Sequence, residues 1–216
     1  MTSPEGGSAT FLKAFAALFA VQFFSWAGMF ALWIYAVPVV AGRVLRVDSH
    51  DVNGLQPALV VVSLCFALYA TLGVAGSFAL PGMVRRFGHG LTYAMALACG
   101  AAGLGLVAAA QGLAMLVLGF VAIGAGWAAM GSLPYSLLSK LAPAGKGGHY
   151  MRLFSFSTIL PQVATTLLFA VVSGRVLAGG YNRAMIFGAS AMGLGALVAL
   201  CSRGLFAPAD GVEDDW

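Results

Sequence analysis

The fold of this chain is decided by the stretch from Trp127 to Gln162, WAAMGSLPYSLLSKLAPAGKGGHYMRLFSFSTILPQ. The stretch reads as the second half of one apolar helix, a short basic loop and the first half of the next helix. Each of the two helices contains an internal proline, Pro134 and Pro161. A proline leaves one backbone carbonyl of its helix without a donor, and the hydrocarbon core of a bilayer has no water to replace it. Two such helices in succession indicate a path through a membrane rather than a simple anchor.

The composition places the chain among integral membrane proteins. Of its 216 residues, 61% are hydrophobic and 8% are charged, and the mean hydropathy is +0.94. Soluble domains carry about 25% charged residues, so a soluble fold could not bury this much apolar surface. The net charge of +4 comes from basic residues at the ends of the apolar runs, where membrane proteins place them. We therefore expect the lipid bilayer, and no nucleic acid, as a partner.

We predict an all-α membrane protein with six transmembrane helices between residues 11 and 204. The run from 87 to 139 has no charged residue and is too long for one span, because about 20 residues cross the hydrocarbon core. We therefore place a hinge at Ala110-Gln111-Gly112. Residues 1–10 are predicted to be a disordered polar leader, and residues 205–216 an acidic tail. The predicted spans are about 11–37, 56–82, 89–110, 112–139, 148–174 and 183–203.

The distribution of basic residues favours a cytoplasmic N-terminus. In that orientation the inside segments hold seven of the 11 Lys and Arg residues and the outside segments hold four, as the positive-inside bias requires. We therefore expect a multi-pass protein of a bacterial-type inner (plasma) membrane with both termini in the cytoplasm. The inside set is Lys13, Arg85, Arg86, Lys140, Lys146, Arg152 and Arg203, and the outside set is Arg43, Arg46, Arg175 and Arg183.

The first span carries large polar and aromatic side chains on one face. Gln22, Trp26 and Trp33 are spaced at i, i+4 and i+11, and Ser25 lies beside them. Aromatic rings with amide and hydroxyl groups suit a sugar, which has an apolar face and polar rims. The alternative interpretation is hydrogen bonding between helices, and the sequence leaves both open.

The fourth and fifth spans carry further candidates around their prolines. Tyr135 follows Pro134, and it aligns with Trp127 and Gly131 on one helix face. In the fifth span a shared face holds Ser155, Thr158, Gln162 and Thr165.

No set of residues in the chain is typical of an enzyme site or a cofactor site. We find no nucleophile with a histidine and a carboxylate, no metal-ligand spacing and no glycine-rich phosphate loop. His89 and His149 are predicted to be surface residues at the membrane edge. We expect neither an enzyme nor a cofactor.

Two blocks of the sequence resemble a known transporter family. The segment VQFFSWAGMFALWIYAVP, Val21 to Pro38, is similar to the seventh helix of the glycoside–pentoside–hexuronide:cation symporters and the related sucrose–proton symporters of the major facilitator superfamily. The segment from Gly126 to Gln162 resembles helix ten, the following loop and helix eleven, with matches at Leu133-Pro134-Tyr135 and Leu160-Pro161-Gln162. The resemblance covers residues 11 to about 204.

The resemblance implies one half of a major facilitator transporter, the C-terminal half, built as a 3+3 inverted repeat. It implies sugar or glycoside uptake by cation symport through alternating access, with a proton or sodium as coupling cation. Arg86 and Gly88 match the Arg-x-Gly of the superfamily's loop signature and, with Pro134 and Pro161, are the implied gating positions; Pro81 and Arg85 depart from that signature. The partner would be a second six-helix half or another copy of this chain. The implied substrate residues are Gln22, Ser25, Trp26, Trp33, Tyr135, Thr158 and Gln162.

Another interpretation remains, that of a non-transporting membrane scaffold or a defunct half-transporter. The scaffold and the transporter differ in the role of three polar and aromatic residues, which can be tested. In a scaffold, Gln22, Trp26 and Gln162 would serve only to hold helices together.

Overall fold

The computed structural model describes residues 4–47, 52–143, 145–176 and 180–209, and the regular elements in these ranges are all helices. They are α1 (Pro4–Val39), continued by a π-helical stretch (Val40–Leu45), α2 (Val52–Ala109), α3 (Leu113–Leu141), α4 (Gly147–Val176), α5 (Asn182–Cys201), the short α6 (Arg203–Phe206) and a 3-10 turn (Ala207–Ala209).

Within the described residues, 5 helices are long and apolar enough to cross a membrane. The prediction of an all-α membrane protein is therefore confirmed. The second and third predicted spans both lie in α2, which is interrupted at Gly88, where φ is 77° and ψ is 163°. Only glycine adopts this backbone conformation without strain. We call residues 52–87 the first arm of α2 and residues 89–109 the second arm.

The ends of the helices differ from the predicted boundaries in some places. Residues 4–10, predicted as part of a disordered leader, form the first turns of α1, and residues 1–3 lie outside the described residues. α2 ends at Ala109 and α3 begins at Leu113, so the chain reverses where the sequence places a hinge. Of the predicted acidic tail, residues 205–209 are helical, and residues 210–216 lie outside the description.

Glycines bring two pairs of helices into backbone contact. A β-carbon at Gly28 in α1 would lie 2.7 Å from the carbonyl oxygen of Gly188 in α5. A β-carbon at Gly103 in the second arm of α2 would lie 2.5 Å from the carbonyl oxygen of Gly119 in α3. Neither site has room for a side chain. Such close approach is the usual way in which helices associate in lipid, where no hydrophobic effect drives them together.

Two of the helices are packed along a single stripe only. The first arm of α2 and α4 each bury one residue per turn and leave the rest of their surface uncovered; Phe78 and Val171 are 81% and 85% exposed. α4 rests on α1 through Phe11–Tyr150 and Phe15–Phe154 ring contacts, with centroids 4.6 and 6.3 Å apart. The core therefore consists of α1, the second arm, α3 and α5, and the other two segments flank it.

The glycine contact between the second arm and α3 can be tested with a matched pair. We expect Gly103→Ala to lower the stability of the purified protein by about 1–3 kcal/mol, because overpacking a close contact forces the helices apart. Gly105 lies in the same arm and has open space around it, so Gly105→Ala is the control and should be neutral. Thermal unfolding in detergent measures both, and equal melting temperatures would contradict the packing.

Candidate functional site

Three tryptophans form one aromatic cluster where α1, the first arm of α2 and α3 meet. The ring centroids of Trp26, Trp33 and Trp127 are 5.8 to 5.9 Å apart in every pair, with the rings nearly perpendicular. Tyr69 packs edge-on against Trp127 at 5.8 Å, and its hydroxyl accepts a hydrogen bond from the indole Nε1 of Trp33 at 3.1 Å. We call these four residues the tryptophan cluster. Edge-to-face pairs of this kind add stability beyond the buried area.

A glycine in the first arm of α2 makes room for this cluster. A β-carbon at Gly73 would lie 2.5 Å from Cδ1 of Trp127. The indole of Trp127 therefore lies directly on the backbone of the neighbouring helix. The position of the ring is set by the absence of a side chain opposite it.

One donor in the cluster has no acceptor. The indole Nε1 of Trp26 is buried and makes no hydrogen bond. Leaving such a group unpaired costs roughly 1–3 kcal/mol, and an unpaired buried group in a native protein calls for an explanation. A ligand atom or water that accepts from Trp26 would supply one.

Gln22 and Ser25 lie inside the bundle, although they share the helix that carries Trp26. The side-chain amide of Gln22 donates to the backbone carbonyl of Met130 in α3 at 3.4 Å and accepts from the hydroxyl of Tyr93 at 2.8 Å. Ser25 donates to the carbonyl of Val21, four residues back in its own helix, at 2.7 Å. Both side chains are fully buried. Gln22 therefore links α1 to α3 and to the second arm of α2, Ser25 bonds within α1, and neither faces an open surface.

The carbonyl that Gln22 reaches is the one that Pro134 leaves free. In a regular helix the amide of residue 134 would donate to the carbonyl of residue 130. Pro134 has no amide hydrogen, and its ring pushes that carbonyl outward. Gln22 on the neighbouring helix thus supplies the donor that α3 lacks.

The polar face of α4 is only partly covered by neighbouring helices. Thr165 is 2% exposed, and together with Ala164 and Leu168 it lines a groove of about 350 Å³ against α1 and α5. At roughly 100° per residue, Thr158 and Gln162 lie about 20° and about 60° around the helix from Thr165, and neither lines the groove. Both are half-buried, and neither makes a hydrogen bond within the described residues. Helical spacing keeps these three residues on the predicted shared face, of which only Thr165 lines the groove.

Tyr135 lies next to the uncovered surface between α3 and α4. Its ring is 42% exposed and stands edge-on to Phe154 of α4 at 5.8 Å. Pro134, the residue before it, and Pro161 in α4 are both buried. Tyr135 is therefore available to a molecule that approaches the face of α1, α3 and α4.

The residues around Gly88 lie at the end of the bundle, far along the chain from the cluster. Arg86 is exposed, and its guanidinium lies 5.3 Å from the centroid of the Phe87 ring. The prediction that His89 is a surface residue is wrong, since it is only 3% exposed. The chain after α5 packs closely against the next residue, since a β-carbon at Gly90 would lie 2.7 Å from Cα of Arg203.

Sequence reasoning missed Tyr93, which fixes the amide of Gln22. Tyr93 is fully buried in the second arm of α2. Its polar neighbour at helical spacing is His89, four residues earlier, and because we predicted His89 to be a surface residue, the spacing did not indicate a buried polar face. Its role depends on a contact with a helix 71 residues away in the sequence.

No protein-family model matches this chain, and no curated protein is significantly similar to it. The function is therefore argued from the geometry of the described residues and from the resemblance of the two sequence blocks.

The dependence of the cluster on Gly73 gives a spectroscopic prediction. Gly73→Ala should change the near-ultraviolet circular dichroism of the protein, because the added methyl group displaces Trp127 from its two tryptophan partners. Gly131→Ala in α3 is the control, since open space surrounds that position. An unchanged aromatic spectrum for Gly73→Ala, in a protein that keeps its helix content, would contradict the arrangement.

Proposed function

We propose that the chain is a six-helix half of a secondary active transporter that moves a neutral sugar or glycoside together with a cation. The observation that carries this proposal is the contrast between satisfied and unsatisfied polar groups. Gln22 and Trp33 are hydrogen-bonded inside the bundle, whereas Thr158, Gln162 and the indole nitrogen of Trp26 are not.

Unsatisfied polar groups at membrane depth need water, a ligand or another protein chain. An amide or hydroxyl facing hydrocarbon without a partner loses several kcal/mol of hydration, of order 2–7 kcal/mol. The side of α4 that carries Thr158 and Gln162 is therefore best explained as one wall of a water-accessible route. The exposed flank on the far side of α4 is apolar, with Leu160, Val163 and Leu167, and suits lipid.

The aromatic and polar candidates lie at a similar depth. α4 runs parallel to α1, because Phe154 contacts Phe15 and Phe169 contacts Tyr35. Gln162 lies midway between Phe154 and Phe169 and is thus level with the middle of the Phe15–Tyr35 segment, where Trp26 is found. A sugar ring could stack on an indole while its hydroxyl groups bind the amide and the Thr158 hydroxyl.

The helix contacts support a 3+3 inverted repeat with six spans, in which the two arms of α2 count separately. The repeat pairs α1 with α3, the first arm with α4, and the second arm with α5. Each contact between two segments then has an equivalent contact between their counterparts. The glycine contact of α1 with α5 then corresponds to that of α3 with the second arm. The α4 ring contacts on α1 correspond to those of the first arm on α3, at Tyr69 and Trp127. Such repeats are common in transporters, which bind substrate at the repeat interface near the midplane.

The proposed partner is a second six-helix unit that covers the first arm of α2 and α4. These are the two least covered segments, and they are equivalent under the proposed repeat. The second unit would complete the cavity and supply the charged groups for a proton or sodium, because no charge lies deep in the described spans. The chain would lie in a bacterial-type inner membrane with cytoplasmic termini and alternate access by rocking against that unit.

A non-transporting scaffold is the second candidate, and the contacts of Gln22 favour it. Its amide is fully used between helices, as interhelical hydrogen bonding requires. The scaffold leaves the free groups of Thr158 and Gln162 without a role, and so we prefer the transporter.

Substitutions on the two flanks of α4 test the transporter. We expect Gln162→Ala to weaken binding of a neutral sugar about tenfold, which corresponds to the loss of ~1.4 kcal/mol, with no change in melting temperature. Val163→Ala on the lipid flank is the control and should bind normally. Tryptophan fluorescence with a panel of mono- and disaccharides measures binding.

Uptake completes the test. Proteoliposomes containing the chain, alone or with a co-expressed six-helix partner, receive a radiolabelled sugar from the same panel under a proton or sodium gradient. Uptake that depends on the gradient and falls in Gln162→Ala supports the proposal. If no sugar binds and none enters the vesicles in either preparation, the proposal fails.

A further inference from the structure

The broken hydrogen bond at Pro134 and its replacement by Gln22 carry an inference about how α3 moves. Pro134 lies inside α3, with a full helical turn on either side. The carbonyl of Met130 has lost its own helical donor, so the segment after Pro134 is attached to the segment before it by one hydrogen bond fewer than a regular helix has. A helix bends most easily at such a point.

The substitute donor comes from another helix. Gln22 in α1 reaches the Met130 carbonyl at 3.4 Å, which is long for a hydrogen bond to a carbonyl oxygen. A bond of this length is weak and is easily broken by a small shift of α3 against α1. In a bilayer no water replaces this hydrogen bond. Breaking it therefore costs free energy that other contacts of the bent helix must offset.

The amide of Gln22 is held in place by Tyr93. The phenol hydroxyl donates to Oε1 at 2.8 Å, which fixes which end of the amide faces the Met130 carbonyl. Because Tyr93 is fully buried in the second arm of α2, it ties the orientation of Gln22 to the core rather than to α3. The donor thus stays in position when α3 moves.

We infer that Gln22, oriented by Tyr93, is a removable cap on the Pro134 hinge of α3, and that α3 bends and straightens as this cap is lost and regained. Gln22 and Tyr93 are positioning residues, which act on the helix and do not touch substrate. The part of the inference that connects bending to alternating access rests on the proposed function. The cap itself does not.

A mutant cycle tests the cap without any transport assay. Gln22→Met keeps the size of the side chain and removes the donor, and it should lower the melting temperature by about 2–4 °C. Pro134→Ala restores the helical amide, which then donates to Met130 itself. In that background Gln22→Met should have much less effect than in the parent protein. Pro134→Ser also restores the amide and replaces Pro134→Ala if the latter does not fold.

A matched control separates the cap from general stability. Leu104→Ala removes a fully buried side chain of the second arm, and it should lower the melting temperature equally in both backgrounds. Hydrogen exchange gives a local readout: amides of residues 131–141 should exchange faster in Gln22→Met and in Tyr93→Phe, and slow exchange should return in Gln22→Met combined with Pro134→Ala.

The outcomes decide between the cap and simple packing. If Gln22→Met lowers the melting temperature equally in the parent protein and in Pro134→Ala, the inference is overturned, since Gln22 would then only fill space. An unchanged melting temperature for Gln22→Met in the parent protein would overturn the inference as well. If Pro134→Ala suppresses the destabilisation caused by Gln22→Met, the cap is supported. If in addition no variant takes up sugar, the proposed function fails and the cap still stands.

Discussion

The backbone of α3 has a carbonyl, that of the buried Met130, that its own helix cannot satisfy. A bilayer core contains no water, so each polar backbone group there must find its partner in the protein. Pro134 removes the donor for the carbonyl of Met130, and Gln22 in α1 provides another at 3.4 Å. This contact ties α1 to α3, and Tyr93 adds the second arm of α2 to the same group. One side-chain amide is thus bonded to two other helical segments.

Glycine contacts set the rest of the frame. Gly28 against Gly188 and Gly103 against Gly119 bring backbones together with no room for a side chain. Dispersion contacts are made over short distances only, so helices that touch in this way hold a defined spacing without a hydrophobic driving force. The first arm of α2 meets α3 closely at Gly73 and Gly124, whereas α4 rests on α1 through aromatic rings. Both segments keep large uncovered surfaces.

Polar side chains in this bundle divide into two groups by whether they are satisfied. Gln22, Ser25 and Trp33 have partners within the protein, and their removal should affect mainly stability. Thr158 and Gln162 have none, although they lie on a half-buried flank of α4. This difference, rather than residue type, separates groups that hold helices together from groups that are free to bind a ligand, since glutamine occurs in both sets.

The sequence by itself determined the membrane class, the helical content and the turn between Ala109 and Leu113, because long charge-free runs in a chain with so few charges have no other stable arrangement. It also placed Trp26 and Gln22 on neighbouring positions of one helix, since spacing along a helix fixes the angle between side chains. Only the tertiary structure decided that Gln22 turns inward to Met130 and Tyr93, that Thr165 lines a groove against α1 and α5, and that His89 is buried. Each of these depends on which helix lies opposite, and helical spacing carries no information about the neighbour.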